Sequence, residues 1–260
     1  MTVAVIQALL GFVSETRFLR YAGEHLGHLF RYLPGQSGYN KRLRKAADLI
    51  AKMIRILGED TSVWADDTWL IDSTPIECGR SRETAQRSDL AGFAGYGYCA
   101  SHSRYFWGVR LHLVCTPAGL PITYAITNPK IDERHVARDM FETDPELLRR
   151  RAGQTLIADK GYASAEFDHF LDGHDIQLIR PTFKREPARP GREFLRPFRQ
   201  IIESINDTLK GQLNLETHGG RTITGLATRI LQRLLALTAA IWHNDHTRQP
   251  VLRSLTAYDH

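Results

Sequence analysis

The chain has 260 residues, 34 lysines and arginines against 29 acids, 42% hydrophobic residues and a formal charge of +5. This composition excludes wholesale disorder and suits one large domain, or one domain with a small extra module. No run approaches the roughly 18 uninterrupted apolar residues of a membrane span, and three cysteines cannot make a disulfide framework, so a cytoplasmic protein is expected.

Met1–Val13 is apolar, lacks a basic leader and meets Glu15, which predicts a helix rather than a secretory signal. Ser14 is placed to cap a second helix through Phe18, Leu19, Tyr21, His25 and Leu26. Leu33-Pro34-Gly35 with Ser37-Gly38 reads as a turn. A third helix is expected from Lys41 to Leu57, with Leu43, Ala47, Ile50, Met53, Ile54 and Leu57 on one side and its bases on another. Residues 1–62 thus form a helical N-terminal region, for which a DNA-reading unit and a plain helical cap both stand open.

From residue 68 the pattern changes. Thr68–Ile71 reads as a short strand ending in Asp72, and residues 73–104 as a long loop rich in Gly, Ser and Arg. Tyr105–Cys115 and Pro121–Ile126 read as the strands of a hairpin. A helix starts at Asp132 or Glu133 and runs through Phe141. Thr155–Ala158 predicts a strand ending in Asp159, Ser164–Leu171 a helix and Ile176–Ile179 a strand. A helix from Pro197 to Leu213 follows, then a long one from Thr222 to His243, apolar along Ile223, Leu226, Ile230, Leu234, Leu237 and Ile241. This order predicts an α/β or α+β layer architecture with a mixed sheet over residues 63–245, leaving 246–260 as a tail.

The positive charge is local. Arg180, Lys184, Arg185, Arg189, Arg192, Arg196 and Arg199 face only Glu186 and Glu193 in their window, which carries the whole excess of +5. A second basic run is Lys41-Arg42-Leu43-Arg44-Lys45. Either run alone reads as a solvated face; the two together favour a polyanionic partner.

Three acids stand out by position. Asp72 and Asp159 each end a predicted strand, where ligands of α/β sheets gather. Carboxylates on neighbouring strand ends raise each other's pKa unless a cation lies between them, and Mg²⁺ suits such hard oxygens. Taken alone, each aspartate is as well explained as a turn or helix cap. On the helix from Pro197, Arg199, Glu203 and Lys210 fall within about 40° of one another, beside the apolar stripe of Phe198, Ile202, Ile205 and Leu209. That set is either an ion-pair ladder or a rim that grips phosphate.

Ile71-Asp72-Ser73-Thr74-Pro75, Asp159-Lys160-Gly161-Tyr162 and Arg199-x3-Glu203-x6-Lys210, in this order, resemble the catalytic motifs of bacterial insertion-sequence transposases of the DDE class. Tyr96 to Gly108 and Asn128-Pro129-Lys130 resemble one subgroup of them. Many relatives carry a tyrosine three residues before the motif arginine; here that residue is Arg196. The N-terminal region is short beside that class. The resemblance implies a ribonuclease-H-like mixed sheet flanked by helices. It also implies two-metal phosphoryl transfer on Asp72, Asp159 and Glu203, with Mg²⁺ as the ion and Mn²⁺ able to substitute. DNA contacts are expected from Arg199, Lys210, Lys160, Arg196, Lys184 and Arg185. The partners implied are element ends, target DNA and, on DNA, a second copy of the chain. A nuclease of the same fold without strand transfer, and a DNA-binding derivative without chemistry, are the alternatives.

Weaker patterns point elsewhere. Cys99-x2-His102 and His112-x2-Cys115 have zinc-like spacing, but His112 and Cys115, three apart on a strand, face opposite sides, so buried thiols and a partly exposed histidine are expected instead. Tyr105, Phe106 and Trp107 are expected in the core rather than on a base-stacking surface. Arg80, Arg82, Arg87 and Arg104 are either a DNA clamp or solvated.

Overall fold

The structure is a computed structural model that describes residues 1–99, 103–183, 186, 191 and 195–251. Its centre is a mixed sheet built from β1 (Thr68–Gly79), β2 (Gly95–Cys99), β3 (Arg104–Cys115), β4 (Pro121–Thr127), β5 (Thr155–Ala158) and β6 (Gln177–Ile179). β3 pairs antiparallel with β1 along one edge. Its other edge takes β2 at Arg104–Gly108 and β4 at Arg110–Cys115. β1 runs parallel to β5, and β5 to β6. Four strands in antiparallel pairings, β1 to β4, joined to the parallel pair β5 and β6, with helices around them, make the architecture ribonuclease-H-like.

The pleat decides which helix meets which residue. Side chains alternate along β1, so Trp69 and Ile71 point one way and Leu70 and Asp72 the other. Trp69 stacks on Phe141 of α6 (Glu133–Glu142), with ring centroids 6.1 Å apart. Asp72 meets Asn206 of α9 (Leu195–Asp207) on the opposite side. α6 buries Val136, Ala137, Met140 and Phe141, and Asp132 caps its start through a 2.9 Å bond from Arg134 N–H. α7 (Pro145–Arg150) and α8 (Ala165–Asp172) complete the helices around β5 and β6.

The N-terminal helices are α1 (Thr2–Leu9), α2 (Glu15–His25), α3 (Gln36–Lys45) and α4 (Ala47–Glu59). Ser14 caps α2, accepting from Arg17 N–H at 3.3 Å. α1 and α4 pack on α10 (Ile223–His246), so α10 is covered by them as well as by the sheet. Its expected stripe of Leu226, Ile230, Leu234, Leu237 and Ile241 is buried, whereas Ile223 is exposed. A second, polar face of α10 is buried too. Arg229 there is ion-paired with Glu15, and Gln232 donates to the Ala4 carbonyl at 2.8 Å. Glu15 also accepts from Gln36 and Asn40, each at 2.8 Å, which ties α2 to α3.

Several elements differ from expectation. The chain from 73 to 104 is not one loop: β1 continues to Gly79, α5 occupies Arg82–Arg87 and β2 follows. β5 ends at Ala158, opposite Ile71, so Pro75 lies where β1 has no parallel neighbour and its missing N–H is tolerated. The helix expected from Lys41 to Leu57 is two helices that meet at Ala46, and the first begins at Gln36 rather than after a turn. The helix from Pro197 becomes α9 followed by a π-helical turn, Thr208–Gln212. Trp107 and Phe106 are buried as expected, but Tyr105 is 79% exposed. No helix among the described residues is long and apolar enough to cross a membrane.

Candidate active site

Two apolar runs, Trp69-Leu70-Ile71 and Leu156-Ile157-Ala158, are buried in β1 and β5 and are each followed by an acid. Asp159 follows the end of β5 as expected, whereas Asp72 lies within β1 rather than at its end, because β3 keeps pairing with β1 as far as Gly79. Because Ile71 pairs with Ala158 in parallel register, the next residues, Asp72 and Asp159, lie side by side. Asp159 is exposed; its Oδ1 accepts from Gly161 N–H at 2.7 Å at the start of a short turn. Asp72 is half-buried, and its Oδ2 accepts from Asn206 Nδ2 at 2.8 Å. Burial pushes the Asp72 carboxyl up to about 6; the bonds from Asn206 and the Ser73 N–H oppose this, and the charges of Asp159 and Glu133 add to it.

Glu133 is the neighbour that sequence reasoning missed. It is half-buried at the start of α6 and ion-paired with Arg110 of β3. Its Oε1 also accepts from Ser73 Oγ at 2.6 Å. Arg110 donates to Ser73 Oγ at 2.9 Å and to the Tyr98 carbonyl at 3.0 Å. At Gly161 an added Cβ would come 2.8 Å from Glu133 Oε2 and 2.9 Å from Asp159 Oδ1, so the two carboxylates approach the same backbone position. A half-buried arginine in an apolar strand requires an anionic partner, and that was the available signal.

Glu203 lies apart from the aspartate pair. It is exposed on α9 and accepts from Arg199 Nε at 3.1 Å. Among the described residues no three His, Cys, Asp or Glu side chains converge as a metal cage. Asp72 and Asp159 alone nevertheless offer what Mg²⁺ takes: hard oxygens from one or two carboxylates, with its remaining positions left to water and phosphate. Burial first, and then the charges of Asp159 and Glu133, disfavour the ionised form of Asp72, and a bound cation would relieve that.

The expected phosphate-binding residues divide. Arg196 and Arg199 are exposed on α9. Lys160 is exposed beside Asp159, with its Nζ 4.5 Å from the centroid of Phe183. Lys210 is half-buried, 3.5 Å from Glu216. Lys184 and Arg185 lie outside the described residues, as do Arg189, Arg192 and His102. Arg180, counted in the basic window, is buried and paired with Asp168 and Glu186 at 3.3 and 3.0 Å, so it is not part of a basic surface. Arg80, Arg82, Arg87 and Arg104 are all exposed. Tyr162 is buried beside the carboxylates, and its hydroxyl has no hydrogen-bond partner among the described residues. Burial, then the charges of Glu133, Asp72 and Asp159, push that hydroxyl far up, which disfavours it as a nucleophile.

A family model described as "Transposase DDE domain" matches residues 63–239, more than half of the chain. A comparison with curated proteins gives no match.

Proposed function

Because the chain belongs to the transposase DDE-domain family, we propose that it cuts DNA at the ends of an insertion element and joins the freed 3′ ends to target DNA. The observation that carries this reading is the register of β1 and β5, which sets Asp72, within β1, beside Asp159, the residue after the end of β5. Asp72 and Asp159 would hold Mg²⁺, or Mn²⁺ in its place. Glu203, three residues from Asn206 on α9 and so roughly 4.5 Å along its axis, is the third ligand we assign. A bound metal pair supplies Lewis-acid activation of the attacking oxygen and neutralises charge on the leaving one.

The chain's own residues do the rest. Exposed Arg196 and Arg199 on α9 and Lys160 beside Asp159 would grip phosphates around the carboxylates, and Lys210, Lys184 and Arg185 are the further DNA contacts we assign. Arg110, held by Glu133 and Ser73, fixes the floor beside Asp72. We assign residues 63–245 to catalysis, 1–62 to DNA contact through the exposed Lys41, Arg42, Arg44 and Lys45, and 246–260 to a tail.

The test incubates purified protein with labelled element ends, Mg²⁺ and a target plasmid. Joined products are expected. Nicks without joining would assign a nuclease of the same fold, and binding without nicks a derivative that has lost its chemistry. Mass measurement with and without end DNA tests the expected dimer, which should form on DNA.

A further inference from the structure

The β2–β3 hairpin carries three exposed aromatic rings, Tyr96 at 54%, Tyr98 at 46% and Tyr105 at 79% exposure. Tyr98 and Tyr105 are directly paired across the strands, with ring centroids 5.1 Å apart. Tyr96 lies on the same face, two residues from Tyr98. The third residue of the aromatic run Tyr105-Phe106-Trp107 shares that face but is buried, so only the outer part of the hairpin presents its rings to solvent.

The hairpin is linked to the carboxylates through Arg110. At Gly108 an added Cβ would come 2.0 Å from the Ile76 carbonyl oxygen, so only glycine lets β3 coil so tightly against β1. At Gly97 an added Cβ would come 2.6 Å from Pro129, which brings β2 down onto the end of β4. The result is that the Tyr98 carbonyl bonds to Arg110, the same guanidinium that holds Ser73 and Glu133 beside Asp72. Exposed cations lie close to the hairpin along the chain: Arg104 precedes Tyr105 on the opposite face of β3, Lys130 follows Pro129, and Arg80, 88% exposed, follows β1 and pairs with Glu77 at 3.6 Å.

We propose that the Tyr98–Tyr105 pair, with Tyr96, is a stacking platform for unpaired bases of the DNA strand handled at Asp72 and Asp159. This rests on the function proposed above. A ring face gains from a base only when that base has left its own stack, so the platform favours single-stranded over duplex DNA. Arg104, Arg80 and Lys130 supply the positive charge that a strand's backbone requires.

The test measures binding of a labelled oligothymidylate and a labelled blunt duplex, in EDTA so that no cleavage occurs. Tyr98→Ala/Tyr105→Ala is expected to weaken oligothymidylate binding by about 10- to 100-fold while duplex binding changes by less than about twofold. Tyr98→Phe/Tyr105→Phe keeps the ring faces and should bind both like the parent, which separates stacking from misfolding. Equal loss on both probes, or no loss on either, overturns the platform. A variant that binds both normally but no longer dimerises assigns the rings to a protein contact and likewise overturns it. A parent that binds neither probe removes the DNA reading, and the platform with it.

Discussion

Asn206, not Glu203, is the α9 side chain that reaches Asp72, its Nδ2 donating to Asp72 Oδ2 at 2.8 Å. The bond favours the ionised carboxylate and opposes the effect of burial on it. Removing it leaves a half-buried acceptor without that donor. Asn206→Ala is therefore expected to lower stability by about 1–2 kcal/mol, read from urea unfolding. An unchanged midpoint would show that the bond contributes nothing measurable.

Arg110 and Glu133 form the second relationship beside the aspartates, and a double-mutant cycle measures it. Arg110→Ala leaves Glu133 half-buried and facing Asp72 and Asp159 with less compensation. Each single variant should lose about 1–3 kcal/mol, and Arg110→Ala/Glu133→Ala less than the sum. Strict additivity would mean that the pair is not coupled.

In the N-terminal region, Glu15 is the acid paired with buried Arg229, and it also accepts from Gln36 and Asn40. Glu15→Ala leaves a buried guanidinium without its counter-charge. The expected loss is about 3–5 kcal/mol, with α1 to α3 loosening from α10. Proteolysis of the native protein would report this as early cutting ahead of Ala46; a cutting pattern like the parent's would contradict it.

His112 gives a pH dependence whose sign is fixed. It is fully buried on β3, its Nε2 lies 3.0 Å from Thr127 Oγ1, and burial followed by the nearby Arg110 charge lowers its pKa to about 4. The unfolded ring, at 6.5, binds the proton more readily. Stability is therefore full above the unfolded value and is lost as pH falls from about 6.5 toward about 4, amounting to roughly 2 kcal/mol by pH 5. His112→Gln should flatten that part of the unfolding-versus-pH curve. An equally steep curve in the variant would place the dependence elsewhere.

The site was legible in the sequence only where a local pattern carries it. Leu70-Ile71-Asp72 and Leu156-Ile157-Ala158-Asp159 are short apolar runs capped by an acid, and buried parallel strands look like that. The stripe of α10 was legible for the same reason, because helical periodicity is local. Glu133 was not, since an acid after Asp132 at a helix start already has a sufficient role at the cap. Only the fold brings it across to Arg110. The buried Arg229 and Arg233 of α10 look like a solvated face until α1 and α3 are known to cover them. Tyr105 was misplaced for a further reason. Alternation along β3 does not reveal that its face is covered at Trp107 and left in solvent at Tyr105.

Glu203 is the residue on which the catalytic assignment turns, because it is exposed and paired with Arg199 rather than facing the two aspartates. The most direct test compares Mg²⁺-dependent cleavage of element-end DNA by the parent, Glu203→Gln and Glu133→Gln. The account predicts that Glu203→Gln loses about a hundredfold or more in rate while still binding DNA, and that Glu133→Gln loses much less. A Glu203→Gln protein that cuts at the parent's rate would contradict it, and a Glu133→Gln protein that cannot cut would hand the third position to Glu133.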